Sequence, residues 1–219
     1  DPEQGMISPA RFIPVAEACG LINEIGQFVL AETCRQGQRW LAQDLPKITL
    51  AVNVSPIQFK RYDMKTQVVE ILAQTGFPAH ALELELTESA LMENEESVIQ
   101  TLDQLRCLGI RLAIDDFGTG YSSLAYLKRF PLDVLKIDKK FIDDIPHRSD
   151  DMAIATAIIG IAHTLGFKVL AEGVETAAQL EFLTAQHCDF YQGYFCSPPV
   201  PAAQFERLLT EQMASTPHH

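Results

Sequence analysis

The segment IRLAIDDFGTG (residues 110–120) runs an apolar stretch straight into two adjacent aspartates, Asp115 and Asp116, and then into a glycine-punctuated turn. The apolar part reads as a β-strand buried on both faces. Two like charges side by side at a strand end repel unless the end is a solvated turn with a helix cap or holds something positive. Five further runs rich in Val, Ile, Leu or aromatic residues surround this one, at 48–54, 81–87, 133–138, 167–173 and 189–195. Four of the six read as strands buried on both faces. The run 81–87 alternates more, and 189–195 is aromatic.

Helical patterns separate the runs. Ser8 and Pro9 are placed as N-cap and first helical residue of one helix. Apolar residues recur at helical spacing over 21–43, 64–75, 95–108, 150–165 and 176–186, and 201–213 adds a last helix. Gly109 and Gly166 fall where C-terminal glycines are expected. Strand followed by helix, repeated six times, predicts an α/β fold with a parallel sheet. No connection is long enough to be a domain linker, so 1–213 is expected to form one domain, with 214–219 a tail or tag remnant. An open doubly wound sheet and a (β/α) barrel both fit the pattern. The absence of GxGxxG after the first strand and of a Walker A sequence weighs against the nucleotide-binding open sheets.

Composition narrows the function. The chain has 219 residues, 47% of them hydrophobic, and a net charge of −12. That charge argues against a broad footprint on polymeric nucleic acid or anionic lipid, but not against a small anionic ligand, because a bound metal inverts local charge. The five cysteines show no metal-binding spacing and are read as buried thiols of a reducing compartment. No run reaches the length of a membrane span, and no signal-peptide pattern is present, so a cytoplasmic location without membrane insertion by this segment is expected.

Each apolar run carries a polar residue at or near its C-terminal end: Asn53, Glu85, Asp115 with Asp116, Lys136, Glu172 and Gln192. In a barrel the strand C-termini open on one face, which holds the active site, so these residues would converge. Four are carboxylates against one lysine. Crowded carboxylates take up protons or bind cations, and a set of oxygen donors suits Mg²⁺, Mn²⁺ or Ca²⁺. Adjacent aspartates can divide the work: Asp115 bridging two ions, Asp116 holding one. Two ions about 3.5–4 Å apart are the usual arrangement for phosphodiester hydrolysis. Asp116 could also cap the segment that follows it, Glu88 could be a surface or capping residue, and Lys136 could pair structurally with the acids. The six histidines form no metal or catalytic motif and are read as surface or packing residues.

At these residues the sequence resembles the EAL-domain phosphodiesterases of bacterial cyclic di-GMP signalling. The resemblance rests on SPARFIPVAEACGLI (8–22), AVNVSPIQF (51–59), LELELTESALM (82–92), IDDFGTGYSSLAYLKRFPLDVLKID (114–138), AEGVET (171–176) and QGYFCSPP (192–199). It implies a modified TIM barrel, about six of whose eight strands lie in this chain. It also implies hydrolysis of cyclic di-GMP to linear pGpG with two Mg²⁺ or Mn²⁺ ions, and inhibition by Ca²⁺. Asn53, Glu85 and Asp115 would bind one ion. Asp115, Asp116 and Glu172 would serve the other. Lys136 would orient or polarise the attacking water, with Glu172 as general base or ligand. Glu88, Phe117, Gly118, Thr119, Gly120, Asp138, Glu175 and Gln192 would support the site and its loop, and Phe12, Pro14 and Tyr194 would contact substrate. A homodimer and an upstream sensory or GGDEF-type domain are implied partners. The sequence departs from the family at the last strand, where Cys196 and Pro198 replace a common aromatic and a common basic residue. The E-A-L tripeptide, whose glutamate is a metal ligand, is expected upstream of Asp1. Its true loss would favour a receptor that binds cyclic di-GMP without cleaving it.

Overall fold

The computed structural model describes residues 5, 7–91, 95–118 and 127–215. Its strands are β1 (Leu50–Val54), β2 (Leu82–Thr87), β3 (Arg111–Phe117), β4 (Val134–Ile137), β5 (Lys168–Ala171) and β6 (Phe190–Tyr191). All neighbours are parallel, and the order in the sheet is the order in the chain. Sequential parallel strands with intervening helices curve into a half-barrel of the TIM type.

The helices are α1 (Pro9–Cys19), α2 (Ile22–Ala42), α3 (Pro56–Arg61), α4 (Met64–Thr75), α5 (Glu88–Leu91), α6 (Glu95–Cys107), α7 (Ser149–Thr164), α8 (Ala177–Ala185) and α9 (Ala202–Ser215). Short 3₁₀ turns lie at Ala79–Ala81 and Lys139–Phe141. Pro9 opens α1 as expected, although the Ser8 side chain makes no capping bond. Gly109 and Gly166 take φ of 89° and 86° just past α6 and α7, a left-handed turn that glycine enters without a Cβ clash. Among the described residues, no helix is long and apolar enough to cross a membrane.

Register divides the sheet into two faces. Val52, Leu84 and Leu112 form one row; Val54, Leu86, Ile114, Leu135 and Val169 form the next. These side chains are buried in one cluster with Val68, Leu102, Leu105, Ile158 and Ala162 of the surrounding helices. Each fully buried aliphatic side chain contributes about 1.5–3 kcal/mol of transfer free energy. The opposite face carries Asn53, Glu85, Asp115, Lys136 and Glu172. The alternation in β2 therefore does not mark a solvated face: Glu83 is 7% exposed and Glu85 6%.

Three expectations change. Among the described residues β1 lies at the edge of the sheet and is not buried on both faces: Ala51 and Asn53 are exposed. The run 189–195 pairs over two residues only, because the chain turns at Gly193 against the backbone of Val174, where a Cβ would lie 2.2 Å from the Val174 carbonyl oxygen. All five cysteines are free, but only Cys34 is buried; Cys19, Cys107 and Cys196 are exposed and Cys188 is intermediate. At the end of the chain, α9 docks on α2. Trp40 stacks obliquely on Phe205 at 5.3 Å and donates from Nε1 to Glu206 at 2.8 Å.

Candidate metal and active site

The paired aspartates sit on a β-bulge. Ala113 and Ile114 pair with Val134 and Leu135, but the next pair is Phe117 with Ile137. β3 thus holds one extra residue at the Asp115–Asp116 step, opposite Lys136. Asp116 absorbs it with φ of 56°, a left-handed conformation that costs a non-glycine residue about 1 kcal/mol or more. In a regular strand the two carboxylates would point to opposite faces. Here oxygens of Asp115, Asp116 and Glu172 all lie within 4.8 Å of one another. The backbone N–H of Asp116 also donates to Asp115 Oδ1 at 3.0 Å.

Register brings in the rest. Asn53 pairs with Glu85 and Glu85 with Ala113, two residues before Asp115. Lys136 pairs with Leu170, two before Glu172, and Leu170 with Phe190, two before Gln192. Steps of two keep all six on one face. Lys136 is 2% exposed, and its Nζ contacts Glu85 Oε2 at 2.8 Å, Asp115 Oδ1 at 3.1 Å and Glu172 Oε1 at 2.7 Å. Gln192 Nε2 donates to the same Glu172 oxygen at 3.2 Å.

One ammonium thus serves three carboxylates, with Asp116 a fourth beside them. Burial works to lower the Lys136 pKa, but Glu85, Asp115 and Glu172 outweigh it and hold the group cationic, above the ordinary lysine range. Burial raises Glu172; Lys136 opposes that rise, and Asp115 and Glu85 add to it. Asp116 is raised by burial, then by the charge of Asp115 and by a carboxyl–carboxyl hydrogen bond with Asp138. Four carboxylates against one ammonium leave an excess of acid at the site. Its donors are all oxygens on short, pre-positioned side chains, the chemistry that hard divalent ions take.

The support residues are also placed. Glu88 is buried at the start of α5, and its Oε2 accepts from Gly118 N at 3.3 Å. Phe117 is buried in the core through the register shift. Gly118 has φ of 91°, and a Cβ there would meet the Phe141 ring at 2.9 Å. Asp138 caps the 3₁₀ turn by accepting from Lys140 N at 2.8 Å. Glu175 pairs with Lys139. Thr119 and Gly120 lie outside the described residues, as does the rest of the segment after Gly118 that Asp116 could cap. Tyr194 is 66% exposed and lines a groove of about 700 Å³ that also takes in Glu172, Gln192, Lys139, Pro198 and Phe205. Phe12 and Pro14 lie on α1, which is tied to the β1 exit where Ser55 donates to Glu17 at 2.6 Å.

Four features escaped the sequence reading. Glu83 lies two residues before Glu85 on the same face, and burial followed by the Glu85 charge raises its pKa; the L-E-L-E alternation carried that signal. Gln179 forms a capping box with Thr176, a T-x-x-Q pattern visible in sequence. His163 Nε2, Lys168 Nζ and the Val169 N–H converge on Asp189 at 2.8, 2.6 and 2.9 Å. Lys139 pairs with both Glu175 and Asp143. The Asp189 cluster and the Lys139–Glu175 pair join residues far apart in sequence, and no local pattern marks them.

A β/α half-barrel with an acidic cluster and one buried lysine at the strand C-termini defines the class, and comparison with known proteins defines the family. The EAL domain family model matches residues 1–199, and the chain belongs to that family. It is 48% identical over 208 residues to the cyclic di-GMP phosphodiesterase NbdA of Pseudomonas aeruginosa, covering 95% of this chain and 27% of NbdA. It is 45% identical over 203 residues to MucR of the same organism, a bifunctional diguanylate cyclase/cyclic di-GMP phosphodiesterase, covering 93% of this chain and 30% of MucR. The chain therefore spans between a quarter and a third of these relatives. The solved structure of the PaMucR phosphodiesterase in its c-di-GMP complex superposes with a TM-score of 0.90 at 45% identity, covering 94% of this chain and 83% of that one.

Proposed function

We propose that this domain hydrolyses cyclic di-GMP to linear pGpG. The observation that carries the reading is the bulge at Asp115–Asp116. It turns two consecutive carboxylates onto the face where Glu85, Lys136 and Glu172 meet. Its relatives NbdA and MucR support the substrate.

Asn53, Glu85 and Asp115 would hold one divalent ion, and Asp115, Asp116 and Glu172 the second, with Mg²⁺ or Mn²⁺ active and Ca²⁺ inhibitory. Bound there, such ions supply charge stabilisation at the phosphoryl oxygens and acidify water. The chain's own groups do the rest. Lys136 fixes Glu85, Asp115 and Glu172 in one geometry and orients or polarises the attacking water. Glu172 is restrained at one oxygen by both Lys136 and Gln192. As the alternative to ligating the second ion, it would accept the proton of the attacking water as general base. Attack on phosphorus breaks the P–O3′ bond, and the departing O3′ takes a proton from solvent water. The groove beside Tyr194 and Gln192 is of the size that small ligands occupy. The same reading extends to a homodimer, a cytoplasmic setting and an upstream signalling domain.

The test is turnover of cyclic di-GMP with Mg²⁺, Mn²⁺ and Ca²⁺, with pGpG followed by chromatography. pGpG is expected with the first two ions and is lost in Asp115→Ala. Tight binding of cyclic di-GMP with no pGpG under either ion would replace the enzyme by a receptor.

A further inference from the structure

Lys136 lies on β4 and Glu172 immediately past β5, and their 2.7 Å contact depends on how the two strand exits are held together. Beyond β4, the chain passes Asp138 and the 3₁₀ turn to the carbonyls of Ile142 and Asp143. Beyond β5, it passes Glu172 to Glu175 and Thr176, which open α8. The Gln179 side chain lies between these loops and is 4% exposed. Its Nε2 donates to Ile142 O at 3.0 Å and to Asp143 O at 3.3 Å. Its Oε1 accepts from Glu175 N at 2.8 Å and from Thr176 N at 2.9 Å. Both N–H groups and both lone pairs are used, so the carboxamide has one orientation that satisfies the site. The parallel ties, Lys139 to Glu175 and to Asp143, are about half exposed and contribute little.

We infer that Gln179 is a positioning residue of the reaction: its buried carboxamide locks the β5 exit, which carries Glu172, to the β4 exit, which follows Lys136. The inference rests on the phosphodiesterase reading above. Neutral, apolar Gln179→Met fills the same space without the four bonds. Gln179→Glu keeps the accepting half. Its protonated form can still donate one bond, whereas its ionised form repels the two carbonyl oxygens.

The experiment measures kcat and KM for cyclic di-GMP in wild type, Gln179→Met and Gln179→Glu from pH 6 to 9 with saturating Mg²⁺, beside thermal midpoints. Gln179→Met is expected to lose about tenfold or more in kcat with KM nearly unchanged, the size typical of groups that orient ligating or reacting side chains. For Gln179→Glu, kcat relative to wild type should fall as pH rises. A Gln179→Met protein with wild-type kcat overturns the inference. So does a Gln179→Glu to wild-type ratio that is flat across pH. If Gln179→Met does not fold, the Gln179→Glu profile decides alone. Failure of the wild type to form pGpG would instead refute the phosphodiesterase reading; unaffected variants beside an active wild type refute only the role of Gln179.

Discussion

Replacing Lys136 by methionine tests the electrostatic account of the site. The side chain is nearly isosteric, so packing is retained while the charge is removed. In wild type the ammonium lies 2.7–3.1 Å from three carboxylates and is shielded from water. Removing one partner from a buried ionic cluster costs about 3–5 kcal/mol, because the remaining charges stay buried and uncompensated. For a chain of this size each kcal/mol moves the midpoint by about 2–4 °C, so Lys136→Met should melt about 6–20 °C below wild type in chelator. The deficit has a sign in pH. Burial already raises the Glu172 pKa against the opposition of Lys136, and without the lysine that opposition is gone, leaving the carboxylates buried and uncompensated. They destabilise the fold at pH 8 and cease to do so as protonation neutralises them toward pH 5. It also has a sign in metal: a divalent ion supplies the missing charge, so Mg²⁺ should raise the variant's midpoint more than the wild type's, while turnover stays lost. Scanning calorimetry at pH 5 and 8, with chelator and with Mg²⁺, reads all of this. A Lys136→Met midpoint within about 2 °C of wild type in chelator at pH 8 would refute the reasoning.

Three further outcomes follow from the same geometry. Asp116→Gly should raise the metal-free midpoint, since relief of the left-handed strain is worth about 1 kcal/mol, while abolishing pGpG formation. Leu112→Ala should lower unfolding free energy in urea by about 2–5 kcal/mol, because Leu112 is wholly buried between the sheet and the helices. The bonds from Lys168 and His163 outweigh burial and hold Asp189 at a pKa of about 2. Its contribution is present above the ordinary aspartate pKa and is lost as pH falls toward 2, so the melting gap between wild type and Asp189→Asn should close on acidification.

Much of the architecture was legible because parallel β/α folds write themselves locally. Apolar runs, periodic helices and terminal glycines such as Gly109 are short-range signals, and β2 to β5 lie where those signals place them. The ends of the sheet were less legible. The apolar residues of β1 do not reveal that, among the described residues, it pairs on one side with β2 alone, and β6 stops at a contact between Gly193 and Val174 that no local pattern encodes. For the site, residue types at strand ends sufficed to gather Asn53, Glu85, Asp115, Lys136, Glu172 and Gln192 on one face. The means by which Asp116 joins them did not show, because a bulge is a relation between two strands. Gln179 was half legible: its capping box is local, while its bonds to Ile142 and Asp143 span more than thirty positions.

The register shift in β3 has a consequence for how the strand tolerates change. Phe117, not Asp116, occupies the core seat opposite Ile137. Excise residue 116 and the ladder closes without a gap: Asp115 still faces Lys136, and Phe117 still faces the helices. The second aspartate is thus a detachable unit, spliced into a strand that is complete without it.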